Sequence, residues 1–181
     1  MRYQRAFTLI EVLIVLAIIA ILAGILTPVT MSYIEGARIV RAQNDVEAIG
    51  KAILSFNEDT ALWPIYEHSE NLESYYSVLY GSGALPSEIV DFADRLENQL
   101  NSNIPNYLTT GEFAWNGPYL SSLNADPWGN SYVVNSSGLI PSSTKAVWVI
   151  SAGPNGIIDT SLSQERGIAV LSGDDIGYRI K

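Results

Sequence analysis

Between residues 12 and 26 the chain carries no polar side chain. The apolar stretch 7–29 that contains this run is long enough to cross a bilayer as a helix, which takes about 20 residues. A chain of 181 residues cannot bury such a helix on every side within one small domain. The segment must lie in lipid or in a bundle of its own copies. Arg2 and Arg5 precede it, and basic flanks stay on the cytoplasmic side, so the N-terminus is expected inside and the bulk of the chain outside. Ile25-Leu26-Thr27-Pro28 at its far end lacks the small-residue pattern of a secretory cleavage site. The segment is therefore expected to be retained. Glu11 sits just inside its front edge. An ionisable residue in such a place needs a cationic partner. No Lys or Arg follows within the span, so the partner must come from another chain or from a newly made amino terminus.

Pro28 removes one backbone hydrogen bond and favours a kink, but helical patterning resumes beyond it. Ile39, Ala42, Val46, Ile49, Ile53 and Phe56 recur at spacings of three and four, one apolar stripe on a helix. A helix from Phe7 to about Phe56, ending near Asn57, would run roughly 75 Å at 1.5 Å per residue. Only its second half can hide its stripe on a soluble domain. Farther on, Leu72, Tyr75, Tyr76 and Leu79 predict a helix within 68–80. Pro86-Ser87-Glu88 opens another, with Ile89, Phe92, Leu96 and Leu100 on one face. Residues 98–106 read as loop. Asp126-Pro127 and Gly129-Asn130 signal turns. Residues 131–134 and 146–150 read as strands, the second buried on both faces, in a small antiparallel sheet.

The formal net charge of −9 repels polyanions, so no nucleic-acid partner is expected. There is no cysteine and one histidine, His68. Disulfides, thiolate metal sites and cysteine nucleophiles are excluded. No G-x-S-x-G elbow or phosphate loop accompanies His68, which is expected on a solvated loop or helix start. The chain is read as a non-enzyme.

Ala6-Phe7-Thr8-Leu9-Ile10-Glu11-Val12 resembles the processing site of type IV pilins and type II secretion pseudopilins. The resemblance implies that a prepilin peptidase cuts after Ala6 and N-methylates Phe7. It also implies that Glu11 attracts the new amine of a neighbouring subunit during assembly. Ala6 departs from the glycine usual before the cut. Leu62-Trp63-Pro64, Gly117-Pro118-Tyr119-Leu120 and Asp126-Pro127-Trp128-Gly129-Asn130 look like the major pseudopilin of type II secretion, over roughly 1–66 and 113–180. The middle section, 67–112, does not match.

That resemblance implies an α+β fold: a long N-terminal helix, half transmembrane and half amphipathic, packed on a small antiparallel sheet, with short extra helices in the middle. Residues 1–6 would be leader, 7–29 the transmembrane and polymerising helix, 30–57 its amphipathic half and 58–181 the globular region. Major pseudopilins hold calcium in the tail through a Gly-Pro-Asp-Gly turn and a later Asp-Asp-Ile. Here the turn is Gly153-Pro154-Asn155-Gly156, and Gly173 precedes Asp174-Asp175-Ile176. Ala152, Asn155, Asp174 and Asp175 are thus the implied calcium residues. Asp159 is a candidate for the carboxylate that Asn155 lacks, and an insertion near 161–172 separates the halves. The implied function is a structural subunit of a periplasmic secretion pseudopilus, anchored by one span in the inner membrane. Its partners would be its own copies, the peptidase, minor pseudopilins and the inner-membrane assembly platform. The alternative is a type IV pilin serving adhesion, motility or DNA uptake.

Overall fold

Helix α1, Leu9–Thr60, runs without a break through Gly24 and Pro28, as the resumed periodicity predicts. In this computed structural model residues 8–86 and 92–181 are described. The chain divides into two units, Met1–Arg38 and Ile39–Lys181. In the first, α1 is apolar and long enough to cross a membrane, and none of its most apolar window is buried within the molecule. The few hydroxyls there turn back on the helix. Thr27 Oγ1 donates to the Ala23 carbonyl at 2.7 Å, Thr30 Oγ1 to that of Thr27 at 2.9 Å, and Ser32 Oγ to that of Val29 at 2.9 Å. Bonding to the helix's own carbonyls lets a hydroxyl enter an apolar medium at small cost.

The second unit begins with the amphipathic half of α1. Ala42, Val46, Ile49, Ile53 and Phe56 are at most 2% exposed. The helix continues a turn past the expected end. Thr60 Oγ1 donates to the Phe56 carbonyl at 2.7 Å. Ala61 then takes a left-handed conformation, φ 56°, which ends the helix as such residues do just past a C-terminus.

Seven strands follow among the described residues. β1 (Tyr66–His68) and β2 (Asn71–Tyr75) form a hairpin. β3 (Val78–Tyr80), β4 (Ala93–Arg95), β5 (Val133–Val134), β6 (Trp148–Ser151) and β7 (Ile176–Arg179) form one sheet in the order β4-β3-β5-β6-β7. It is antiparallel except for the β3–β4 pair. The α+β class therefore holds, and the two expected strands are present in shorter form, starting two residues later than the sequence suggests. The middle section differs. The helix expected within 68–80 is the hairpin and β3: Leu79 is fully buried while Leu72 and Tyr75 are exposed. Tyrosine-rich short runs favour strands. Of the second expected helix, the described residues form only α2 (Leu96–Leu100). Phe92 is exposed with φ 53°, a conformation no helix interior tolerates. Ser87, Glu88 and Ile89 lie outside the described residues.

One face of the sheet packs on α1. Tyr132, beside β5 and 1% exposed, donates its hydroxyl to Asp45 of α1 at 2.8 Å. Burial first, then that bond, pushes its phenol well above the usual range. Tyr119 donates to Asp59 at 3.0 Å, and burial with Asp59's charge pushes it up to about 12. β6 is buried on both faces, as its sequence predicts. The cover on its outer face is the tail insertion: Ile158, Leu162 and Ala169 pack on Ala146, Trp148 and Ile150. Asn135 fastens this layer, its Nδ2 donating to the carbonyls of Ala146 (2.7 Å) and Leu162 (2.9 Å).

β7 closes the sheet against the helix at Gly50. A Cβ there would stand 2.6 Å from Tyr178 Cε1. Gly50→Ala is expected to destabilise by about 1–3 kcal/mol through overpacking, against a helix-propensity gain of about 1 kcal/mol. Urea melting of the full chain in detergent micelles checks this. An unchanged or higher midpoint would show that the ring moves aside freely.

Candidate functional site

Two places carry the chemistry that the sequence predicts. The first is the start of α1. Ala6 and Phe7 lie outside the described residues. Glu11 lies in the first turn, exposed. Its Oε2 accepts from the backbone N–H and the hydroxyl of Thr8, both at 3.4 Å, and its own N–H donates to Thr8 Oγ1 at 3.3 Å. Thr8 and Glu11 thus cap the helix reciprocally, satisfying donors that a helix start leaves open. A carboxylate there also favours the positive end of the helix dipole. The sequence reading missed this role. Thr8-Leu9-Ile10-Glu11 has the spacing of a capping box, a signal masked by the apolar run that follows.

The second place is the pair of turns that flank β6 and β7. β6 ends at Ser151, and Ala152 after it is fully buried. Gly153 and Gly156 both have positive φ, 63° and 73°. A Cβ on Gly153 would collide with the Asp174 backbone, so the close approach of the two turns requires glycine. The Asn155 N–H donates to Asp174 Oδ2 at 3.0 Å. The Asn155 side-chain amide donates to Asp159 Oδ2 at 3.0 Å, while its Oδ1 accepts from the Ile157 N–H at 2.7 Å. The Thr160 N–H donates to Asp175 Oδ2 at 2.7 Å. The second turn is tied back by the Ser172 N–H to Thr160 Oγ1 at 3.0 Å. Asn155 is thus bonded to both Asp159 and Asp174 across the insertion, Asp175 is tied to Thr160 next to Asp159, and Ala152 lies buried directly before Gly153.

The Asp126-Pro127-Trp128-Gly129-Asn130 turn buttresses them. Asp126 is 4% exposed. Its Oδ1 accepts from the N–H groups of Trp128 (3.0 Å) and Asn130 (2.8 Å), and its Oδ2 from Ser151 Oγ at 2.7 Å. The Asn130 side chain lies beside Gly156. Asp126 is fully engaged in holding the turn.

The electrostatics of this place are unbalanced. Asp174 Oδ1 and Asp175 Oδ1 are buried and have no hydrogen-bond partner. Burial pushes the Asp175 carboxyl above the ordinary range, the charge of Asp159 adds to that, and the bond from Thr160 opposes it. A buried carboxylate oxygen without a donor is costly. A hard cation would remove that cost, since it takes carboxylate, amide and carbonyl oxygens. Among the described residues, no three acidic groups already stand close enough to hold a metal by themselves. Like charges repel, and the N–H groups of Asn155 and Thr160 each hold one carboxylate in place. His68 lies exposed on β1, away from any such cluster among the described residues.

Comparison with known proteins gives two family matches. The prokaryotic N-terminal methylation motif covers residues 1–27. The type II secretion system (T2SS), protein G, profile covers residues 98–166, so its match begins inside the middle section. The type II secretion system core protein G of Escherichia coli (strain K12) is 31% identical over 157 residues, spanning 87% of this chain and 86% of that protein. The core protein G of Pseudomonas aeruginosa is 29% identical over 131 residues, 72% of each chain. Fimbrial protein Q of Moraxella bovis is 29% identical over 153 residues, 74% of this chain and 96% of that one. No solved structure matches.

Proposed function

We propose that this chain, which belongs to the type II secretion system core protein G family, acts as the repeating structural subunit of a secretion pseudopilus. One observation carries this reading. A methylation motif over 1–27 and a protein G match over 98–166 occur on one chain, joined by a helix whose first half is fully exposed and apolar. Exposed apolar surface on that scale needs lipid or other copies around it. A prepilin peptidase would cut after Ala6 and methylate Phe7. The span would hold the chain once in the inner membrane, with Arg2 and Arg5 inside and the second unit in the periplasm. Assembly would draw on minor pseudopilins and an inner-membrane platform. The role is structural, not catalytic. Electron microscopy of cells overproducing the chain tests it: filaments are expected with the peptidase present and absent without it. A second reading, a surface pilus subunit, is favoured by the likeness to fimbrial protein Q. Surface filaments together with normal protein export in a deletion strain would establish it instead.

The tail is read as a calcium site, and the residues fit that ion. Two buried carboxylate oxygens lack donors, and the set Ala152, Asn155, Asp159, Asp174 and Asp175 is rich in oxygen. Bound calcium would supply the positive charge that these oxygens lack. The chain's own part is to hold the two turns in register: Gly153 admits the Asp174 backbone, and Thr160 anchors Asp175. Because the pair leads into β7, filling the site fixes the last strand. Binding to the folded state alone stabilises by about 2.7 kcal/mol at 100-fold excess over Kd. Melting of the full chain in micelles should rise clearly in calcium over chelator. Equal melting temperatures would reject the site.

A further inference from the structure

We infer that Asp159 supplies the third carboxylate of the tail cation site, and that Asn155 is the positioning residue that aims it; this rests on the calcium reading. The side-chain oxygen of Asn155 is committed within its own turn. Asn155 Oδ1 accepts from the Ile157 N–H at 2.7 Å, and Nδ2 donates to Asp159 Oδ2 at 3.0 Å. The orientation is fixed by chemistry. Flipping the amide would set its NH2 against the Ile157 N–H and its oxygen against a carboxylate, losing both bonds. Asn155 therefore presents a donor to Asp159, not a lone pair to a cation.

Asp159 is placed to take over. Its carboxylate fills the space beside Gly173, where a Cβ would stand only 2.7 Å from the Asp159 carboxyl carbon. Gly173, at φ 63°, is the residue directly before the Asp174-Asp175 pair. Thr160, next to Asp159, donates its N–H to Asp175 Oδ2 at 2.7 Å. Asp175 is only 9% exposed, and its Oδ1 is left without a partner. That buried oxygen without a donor is one that a bound cation would satisfy.

Calcium affinity of the full chain in micelles, by titration calorimetry, tests this, together with terbium luminescence lifetimes that count bound water. Asp159→Asn is expected to weaken binding by on the order of 100-fold, because affinity follows ligand charge. It should also add about one terbium-bound water. Asn155→Ala is expected to weaken binding about tenfold, as for a residue that orients a ligand, with the water count unchanged. Asp159 is exposed, so calcium-free melting of Asp159→Asn should match wild type. Affinity of Asp159→Asn within twofold of wild type would overturn the inference. So would a gained water in Asn155→Ala, or a calcium-free melting loss in Asp159→Asn as large as the loss with calcium. Absence of binding by the wild-type chain would instead bring down the calcium reading itself.

Discussion

Glu11→Val is expected to leave the chain in the membrane and to cut assembly at least tenfold. A carboxylate near the bilayer centre costs roughly 2.5–3.5 kcal/mol on insertion scales, and less near the edge. Removing it therefore cannot hinder insertion. On the charge-pairing account that the pilin-like motif implies, what is lost is a charge for the amine of a neighbouring Phe7. In low dielectric such a pair attracts strongly, although desolvation offsets much of the gain. The pair is better understood as fixing register than as a large net stabiliser. The capping role of Glu11 offers a competing account, because Val also destroys the reciprocal bonds with Thr8. Lost caps cost about 0.5–2 kcal/mol, enough to fray the helix start. Glu11→Gln separates the two. Glutamine serves in a capping box as well as glutamate but carries no charge. If Gln fails to form filaments as Val does, charge pairing is the cause. If Gln assembles at wild-type yield, the capping role alone accounts for Glu11. Filament yield by electron microscopy, with membrane fractionation as the insertion control, reads both.

Phe56→Ala should destabilise the second unit by about 3–5 kcal/mol. The side chain is fully buried at the C-terminal part of the α1 stripe. Its ring meets Tyr107 edge-on at 4.8 Å and Tyr119 at 5.5 Å, contacts worth about 0.5–1.5 kcal/mol beyond area. Tyr107 and Tyr119 come from the long segment between α2 and β5, which has little regular structure to hold it. Phe56 pins that segment to the helix by apolar contact, beside the hydrogen bonds of Tyr119 to Asp59 and Tyr132 to Asp45. Against a total stability of about 5–15 kcal/mol, the variant should melt far below wild type in urea. Val40→Ala, on the same helix but 54% exposed, should shift the unassembled chain by less than about 0.5 kcal/mol. A loss at Phe56 no larger than at Val40 would show that the stripe is not the main anchor.

The helix was legible because two physical demands coincide in it. Uninterrupted apolarity can be met only by lipid or copies, and the stripe from Ala42 to Phe56 only by a packed domain. β6 was legible from its continuous apolar run. What covers its outer face was not. Ile158, Leu162 and Ala169 are scattered through an irregular segment, where no period marks them as core. The middle section was misread for a related reason. Leu72, Tyr75, Tyr76 and Leu79 satisfy a helical spacing by accident, and only tertiary pairing of β3 with β4 and β5 decides the matter. At the tail, Asn155, Asp159 and Asp174 were readable as candidates, but not the hydrogen bonds that link them. The bond to Asp159 depends on the Ile157 N–H taking the Asn155 oxygen, a backbone detail without a sequence signature.

The seat of Tyr178 on Gly50 has a consequence in time. The stripe on α1 is made early, yet its cover is made late: Tyr132 lies 87 positions beyond Asp45, and β7 later still. Closing such distant contacts is slow, because chain entropy is lost before contacts repay it. On the proposed anchoring in the inner membrane, the helix would be held there while its partners are still emerging. For that interval the stripe would lie bare beside other anchored copies. Sticky half-made subunits crowded at one membrane are prone to wrong association, so the order of synthesis gives this fold a window of risk that closes only with its last strand.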